Sequence, residues 1–216
     1  MLINLKDYVI PSTCLIVSKR NTGKTVQAKY ILYNLVRYKK INNVIVFSDT
    51  SEFSNDFDCV DKKYVLNFSE EKFNEIVNKK KEEIKKKGKQ NSSETLILLD
   101  DITNNKSLEV INTMYKTSRH INISIIHLCQ YPKYFITPTV RNNIDYMLWN
   151  TINYSTSQIL YENTVGFENV KEFIKITNEN NNEYKFLVYD NICRDTNRLS
   201  IMKAKDIKFK ITDKKK

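Results

Sequence analysis

Cys14-Leu15-Ile16-Val17-Ser18-Lys19-Arg20-Asn21-Thr22-Gly23-Lys24-Thr25 decides how this chain is read. Apolar residues run up to Val17 and a polar stretch follows. From Lys24 to about Tyr38, Val26, Tyr30, Tyr33 and Val36 or Arg37 then recur at helical spacing. Strand, loop and helix thus succeed one another. The loop matches the phosphate-binding (Walker A) pattern G-x-x-x-x-G-K-[ST], except that Ser18 stands where the first glycine is expected. In a Lys-rich chain the tripeptide Gly23-Lys24-Thr25 alone is weak evidence, and its place between strand and helix gives it weight. Backbone N–H groups of the loop and of the helix N-terminus can wrap a β-phosphate. Gly23 permits close approach, Lys24 neutralises phosphate charge, and the Thr25 hydroxyl offers Mg²⁺ a ligand. Ser18, Lys19, Arg20, Asn21, Thr22, Gly23, Lys24 and Thr25 are the expected cradle for ATP.

A phosphate loop needs an acid at the end of a core strand, and Thr95-Leu96-Ile97-Leu98-Leu99-Asp100-Asp101 supplies two. Adjacent carboxylates closing an apolar run are costly unless something positive sits beside them. Asp100 is assigned to Mg²⁺, and Asp101 to polarising the attacking water, a role often held by Glu. The alternative is that these acids cap the next helix.

The remaining chain alternates apolar runs with helix-period segments, which predicts a mostly parallel sheet with crossover helices. Strands are expected at Asn43–Ser48, at Tyr64–Leu66 as a short edge, at Ile123–Gln130, at Asp145–Trp149 and at Lys185–Tyr189. Helices are expected from Glu70 to Lys87, ending near Gly88, from Asn105 to Thr117, and in one or two pieces beyond Asn150. Residues 1–150 form the expected core, and 151–216 complete the same domain. The lysine clusters at 79–81 and 85–87 read most simply as a solvated helix face, with a DNA-tracking surface as the sharper alternative.

Bulk properties narrow the classes. Hydrophobic residues make up 41% of the 216, enough for a packed core and too many for wholesale disorder. The formal net charge of +10 favours a polyanionic partner, because Lys and Arg near phosphates gain from counterion release. Compositional drift toward Lys, Asn and Ile explains the same charge without a partner. Four scattered cysteines, with no CxxC pair, resemble neither a zinc site nor a disulfide framework and predict a reducing interior. No apolar run is long enough to span a membrane, and no secretory leader is legible.

Beyond the two phosphate-site elements, Ser118-Arg119-His120 leads into Ile123–Gln130, and Pro138-Thr139-Val140-Arg141-Asn142-Asn143 follows. An Arg-His before a strand, a Gln at its end and then Pro-x-x-Arg-x-Asn resemble the genome-packaging ATPases of large DNA viruses and virophages. That group includes the poxvirus packaging ATPase and belongs with the FtsK/HerA DNA pumps. The resemblance covers roughly Cys14 to Trp149. It implies a RecA-like, additional-strand P-loop ATPase fold and ATP hydrolysis coupled to translocation of double-stranded DNA. It also implies a pentameric or hexameric ring, viral capsid or membrane proteins as partners, and a place in the host cytoplasm or the virion. Gln130 is expected to sense the γ-phosphate or the lytic water. Arg119 is the candidate arginine finger acting on a neighbour's nucleotide, with Arg141 the runner-up. Either arginine could instead be an ordinary ion-pair residue. His127 reads as a satisfied core residue.

Two rivals remain at this point. A P-loop kinase for small molecules should carry lid arginines after the core, and none is evident. A non-catalytic nucleotide-binding assembly protein would keep Lys24 while having no use for Asp101.

Overall fold

The computed structural model describes residues 5, 7–39, 41, 43–50, 55–102, 108–134, 136–180, 184–194 and 198–211. In chain order the elements are β1 (Thr13–Val17), α1 (Lys24–Lys39), β2 (Asn43–Ser48), β3 (Val65–Leu66), α2 (Glu70–Lys87), β4 (Thr95–Asp100) and α3 (Leu108–Thr117). They continue with β5 (Ile123–Cys129), α4 (Pro138–Arg141), β6 (Tyr146–Trp149), α5 (Tyr154–Tyr161), α6 (Val170–Glu179), β7 (Lys185–Asp190) and β8 (Leu199–Lys203). All eight strands join one sheet in the order β3-β2-β4-β5-β1-β6-β7-β8. Pairing is parallel from β3 to β6 and antiparallel for β7 and β8.

The interior strands are apolar on both faces because helices cover both. Alternate residues divide between two cores. Cys14 and Ile16 of β1, Leu96 and Leu98 of β4 and Ile126 and Leu128 of β5 face α1. Leu15, Val17, Ile97, Leu99, Ile125 and Met147 face the opposite layer, which draws on α2, α3, α5 and α6. The expected sheet is therefore present, with β1 in its interior.

Three expectations are corrected. The buried face of α1 is Ala28, Ile31, Leu32 and Leu35 rather than Val26, Tyr30, Tyr33 and Val36, which are only partly buried. Tyr and Val flank the helix stripe while smaller and aliphatic residues meet the sheet. Lys80 is not part of a solvated face: it is buried, and its Nζ lies 2.8 Å from Glu83 and 3.0 Å from the Ser93 hydroxyl. Its cluster neighbours Lys79 and Lys81 are exposed. Strand β8 was not anticipated, because a margin strand with one open side carries little apolar signal. The α2 boundaries match the reading: the Ser69 side chain accepts from the Lys72 N–H, and Gly88 closes the helix at φ 78°. The expected α3 start at Asn105 lies outside the described residues.

Candidate nucleotide site

The phosphate loop begins where β1 ends. Its first amides extend the two neighbouring ladders: Ser18 N–H donates to the Cys129 carbonyl (3.1 Å) and Lys19 N–H to the Thr151 carbonyl (2.9 Å). The Ser18 hydroxyl meets the Thr22 hydroxyl and the Thr151 carbonyl, the latter at 3.2 Å. Thr22 in turn donates to the Lys19 carbonyl at 2.7 Å. A glycine at 18 could make none of these side-chain bonds. Ser18 has no positive φ, so its backbone does not call for glycine.

Left-handed backbone appears at Asn21 (φ 58°) and Gly23 (φ 93°), which curls the loop back over the start of α1. That helix carries no acid in its first turn, leaving its amide dipoles open to an anion. Lys24 Nζ donates to the carbonyls of Ser18 (2.8 Å) and Lys19 (2.9 Å), so the ammonium sits inside the loop. Burial lowers the Lys24 pKa, while Asp101 and Asp100 pull it back up. One lysine and two acids thus share a single electrostatic site.

Asp100 ends β4. Its Oδ2 accepts from the Ser48 hydroxyl at the tip of the adjoining β2 (2.9 Å). Burial raises its pKa to about 6, with Asp101 adding to the rise and Ser48 opposing it. Asp101 follows in a left-handed conformation (φ 49°). Its Oδ2 accepts from the Gln130 amide, and its Oδ1 is buried with no partner among the described residues. Strand β5, which Gln130 follows, lies between β4 and β1. Gln130 also lines a cavity of about 360 Å³ beside the loop, with Lys19, Arg20, Tyr131, Ile152, Asn153 and Thr156. Two cations and no carboxylate line that space.

Hydroxyl and carboxylate oxygens suit Mg²⁺. Thr25 stands one residue into α1, and the end of β4 brings Asp100 and Asp101 to the loop. Among the described residues no cluster of three or more His, Cys, Asp or Glu could hold a metal.

Arg119 is not brought to this site within the chain. It precedes β5, whereas the phosphate loop follows β1, so it lies at the far end of the sheet. There its guanidinium bonds Asp145 (2.9 Å) and the Asn143 side chain (3.2 Å). Asp145 also accepts from the Thr13 N–H (2.8 Å) and hydroxyl (3.1 Å) at the start of β1. The Arg-His and Pro-x-x-Arg-x-Asn stretches therefore meet in space. Arg141, at the end of α4, is exposed. Residues that sequence reasoning missed are Ser48, Thr151 and Tyr184. Only Ser48 left a trace, as a polar residue closing an apolar strand.

The family model described as the poxvirus A32 protein matches residues 9–215. The chain belongs to the poxvirus A32 protein family. Among solved structures this A32-family chain is similar to the genome packaging NTPase B204 of Sulfolobus turreted icosahedral virus 2 in complex with sulfate. The TM-score is 0.62 at 19% identity, covering 93% of this chain and 100% of that one. The same NTPase in complex with ATP-gammaS gives 0.62 at 18%, with 89% and 97% covered. The pCW3 conjugation coupling protein TcpA, in monomer form with ATPgS, gives 0.61 at 15%, with 98% and 63% covered. Identities this low speak to fold, and the shared fold is the P-loop ATPase sheet with its additional strand. No curated protein matches the sequence significantly. The resemblance to viral packaging ATPases stands on the A32 family match.

Proposed function

We propose that this A32-family chain is an ATP-hydrolysing motor that moves double-stranded viral DNA into a preformed capsid, working as a homo-oligomeric ring. One observation carries the hydrolytic part: a buried carboxylate oxygen, Asp101 Oδ1, has no partner among the described residues while Gln130 fixes the other oxygen and Lys24 lies in the same field. An isolated buried acceptor is costly, and a pure nucleotide binder has no reason to keep one. An attacking water is the natural donor to it. Asp101 takes that water's proton, Gln130 orients the carboxylate, and the loop amides with Lys24 bind the phosphates. Asp100 and Thr25 would hold Mg²⁺, which when bound neutralises phosphate charge.

The packaging part is supported by the family, by the likeness to the genome packaging NTPase B204, and by the net charge of +10. No helix among the described residues is long and apolar enough to cross a membrane; viral capsid or membrane proteins are the docking partners in this reading. The assembly site in the host cytoplasm, or the virion, is where such a motor would act.

The test is the ATPase rate with and without duplex DNA, with Lys24→Ala as the blank. Stimulation by DNA, absent from the blank, is expected. ATPase activity indifferent to DNA, together with no DNA affinity at moderate salt, overturns the motor and leaves only a nucleotidase.

A further inference from the structure

The phosphate loop has an aromatic wall. A Cβ placed on Gly23 would lie 2.4 Å from Cδ1 and 3.0 Å from Cε1 of Tyr184, so the tyrosine ring rests directly on the glycine. Tyr184 comes from the residues just before β7, far from the loop in sequence. Its backbone is left-handed (φ 59°), a conformation uncommon for an aromatic residue. The surroundings hold it there. The Ala204 N–H donates to the Tyr184 carbonyl (3.1 Å), and the Asn150 side chain donates to the Lys185 carbonyl (2.6 Å). Strain kept in place by several contacts, beside a ligand loop, points to use rather than accident. The residue is also 48% exposed, so it is not simply filling a core.

Sheet order says which part of a ligand meets this ring. Asp100, Asp101 and Gln130 follow β4 and β5, on one side of β1, while Tyr184 precedes β7 on the other side. A triphosphate whose terminal phosphate is directed at the acids must leave the loop at its opposite flank. We infer that Tyr184 forms the base-side wall of the site, its free ring surface packing against the nucleobase of a bound nucleoside triphosphate. This rests on the reading of the loop as a nucleotide site. It also explains why position 23 is restricted twice over, by its positive φ and by the ring above it. Flat aromatic rings stack on any base, so the wall supplies affinity for nucleosides as a class.

The probes are ATP and inorganic tripolyphosphate, whose affinities for the full-length protein are read by calorimetry in the same buffer. Tyr184→Ala is expected to weaken ATP about tenfold or more. It should leave tripolyphosphate within about twofold, since by this inference the ring meets the base and not the phosphates. Tyr184→Phe, which keeps the ring, should bind ATP like the wild type. Equal weakening of both ligands in Tyr184→Ala would show the ring to be only a prop for the loop, and no change in either would show that it misses the base. Both results overturn the inference. Wild-type protein that binds neither probe instead brings down the nucleotide site itself.

Discussion

Gln130 donates its side-chain amide to Asp101, binding one carboxylate oxygen and leaving the other buried with no partner among the described residues. The two residues follow adjacent parallel strands, so their spacing is set by the β4–β5 ladder rather than by a mobile loop. An acid held this way is positioned but not satisfied. That combination suits a group that must accept a proton at a defined point.

Asp101→Asn should separate turnover from stability. The amide cannot act as a base, and ATPase turnover is expected to fall about 10²- to 10⁴-fold. Nucleotide affinity should survive, since the loop and Lys24 are untouched. The same change removes a carboxylate oxygen that is buried without a partner among the described residues, and places at φ 49° a residue that tolerates left-handed backbone. Stability should therefore rise, by about 1 kcal/mol. Denaturation can be followed through Trp149, the single tryptophan, which is buried and stacked on Phe173. A variant that is both inactive and less stable would contradict this account of Asp101.

The two candidate finger arginines should behave differently. Arg119 is engaged by Asp145 and Asn143, and its loss leaves a buried acid short of its cation. Arg119→Ala should cost about 1–3 kcal/mol of stability. Arg141 is exposed and makes no side-chain hydrogen bond or ion pair among the described residues, so Arg141→Ala should leave stability unchanged. If Arg141 acts on a neighbour's nucleotide, its loss should cut turnover. Mixing Arg141→Ala subunits with Lys24→Ala subunits should then restore part of the activity, because each supplies what the other lacks. No recovery on mixing, with Arg119→Ala stable but inactive, would return the role to Arg119.

Ser18→Gly tests the departure from the usual loop pattern. The serine hydroxyl ties the loop to Thr22 and to the Thr151 carbonyl, so glycine should lower stability by about 0.5–1.5 kcal/mol. ATP affinity should stay close to that of the wild type, because the phosphate-facing amides remain. A large loss of affinity measured by calorimetry would mean that the hydroxyl itself contacts nucleotide.

What the sequence disclosed was whatever is carried by contiguous residues. The loop from Ser18 to Thr25, the acids at 100 and 101 and the amide at 130 each close an apolar run, and a buried strand forces its polar end to the rim of a parallel sheet. The α2 limits were equally visible, since Ser69 and Gly88 act on residues beside them in the chain. Relations across the sheet were not visible. Tyr184 reaches Gly23 only because β7 runs antiparallel beside β6, and Ser48 meets Asp100 only through the β2–β4 register. Arg119 is expected to act on a neighbour's nucleotide, and nothing in the sequence signalled that it also bonds Asp145 and Asn143 within its own chain. Position along that strand, before it rather than after, is what puts the guanidinium at the far end.

His127 should leave a signature in the pH dependence of stability. It lies buried within β5, near the Tyr115 hydroxyl (3.3 Å), and burial lowers its pKa to about 3. The unfolded chain therefore binds a proton at this position between about pH 3 and 6.5 that the folded chain refuses. Stability rises with pH across that window and levels off above it, with a slope from this residue of about 1.4 kcal/mol per unit. Asp100 works in the opposite sense: its raised pKa makes the fold favour the protonated acid, so its contribution is lost as pH rises toward about 6. The sign of the overall curve is thus a competition, and the histidine term is isolated by comparing variants. In His127→Leu the curve from about pH 4 to 6, read by Trp149 fluorescence in urea, should lose that upward slope while the Asp100 term persists. Parallel curves for variant and wild type would mean that the imidazole takes up its proton inside the fold, and that the environment around Tyr115 is wetter than its burial implies.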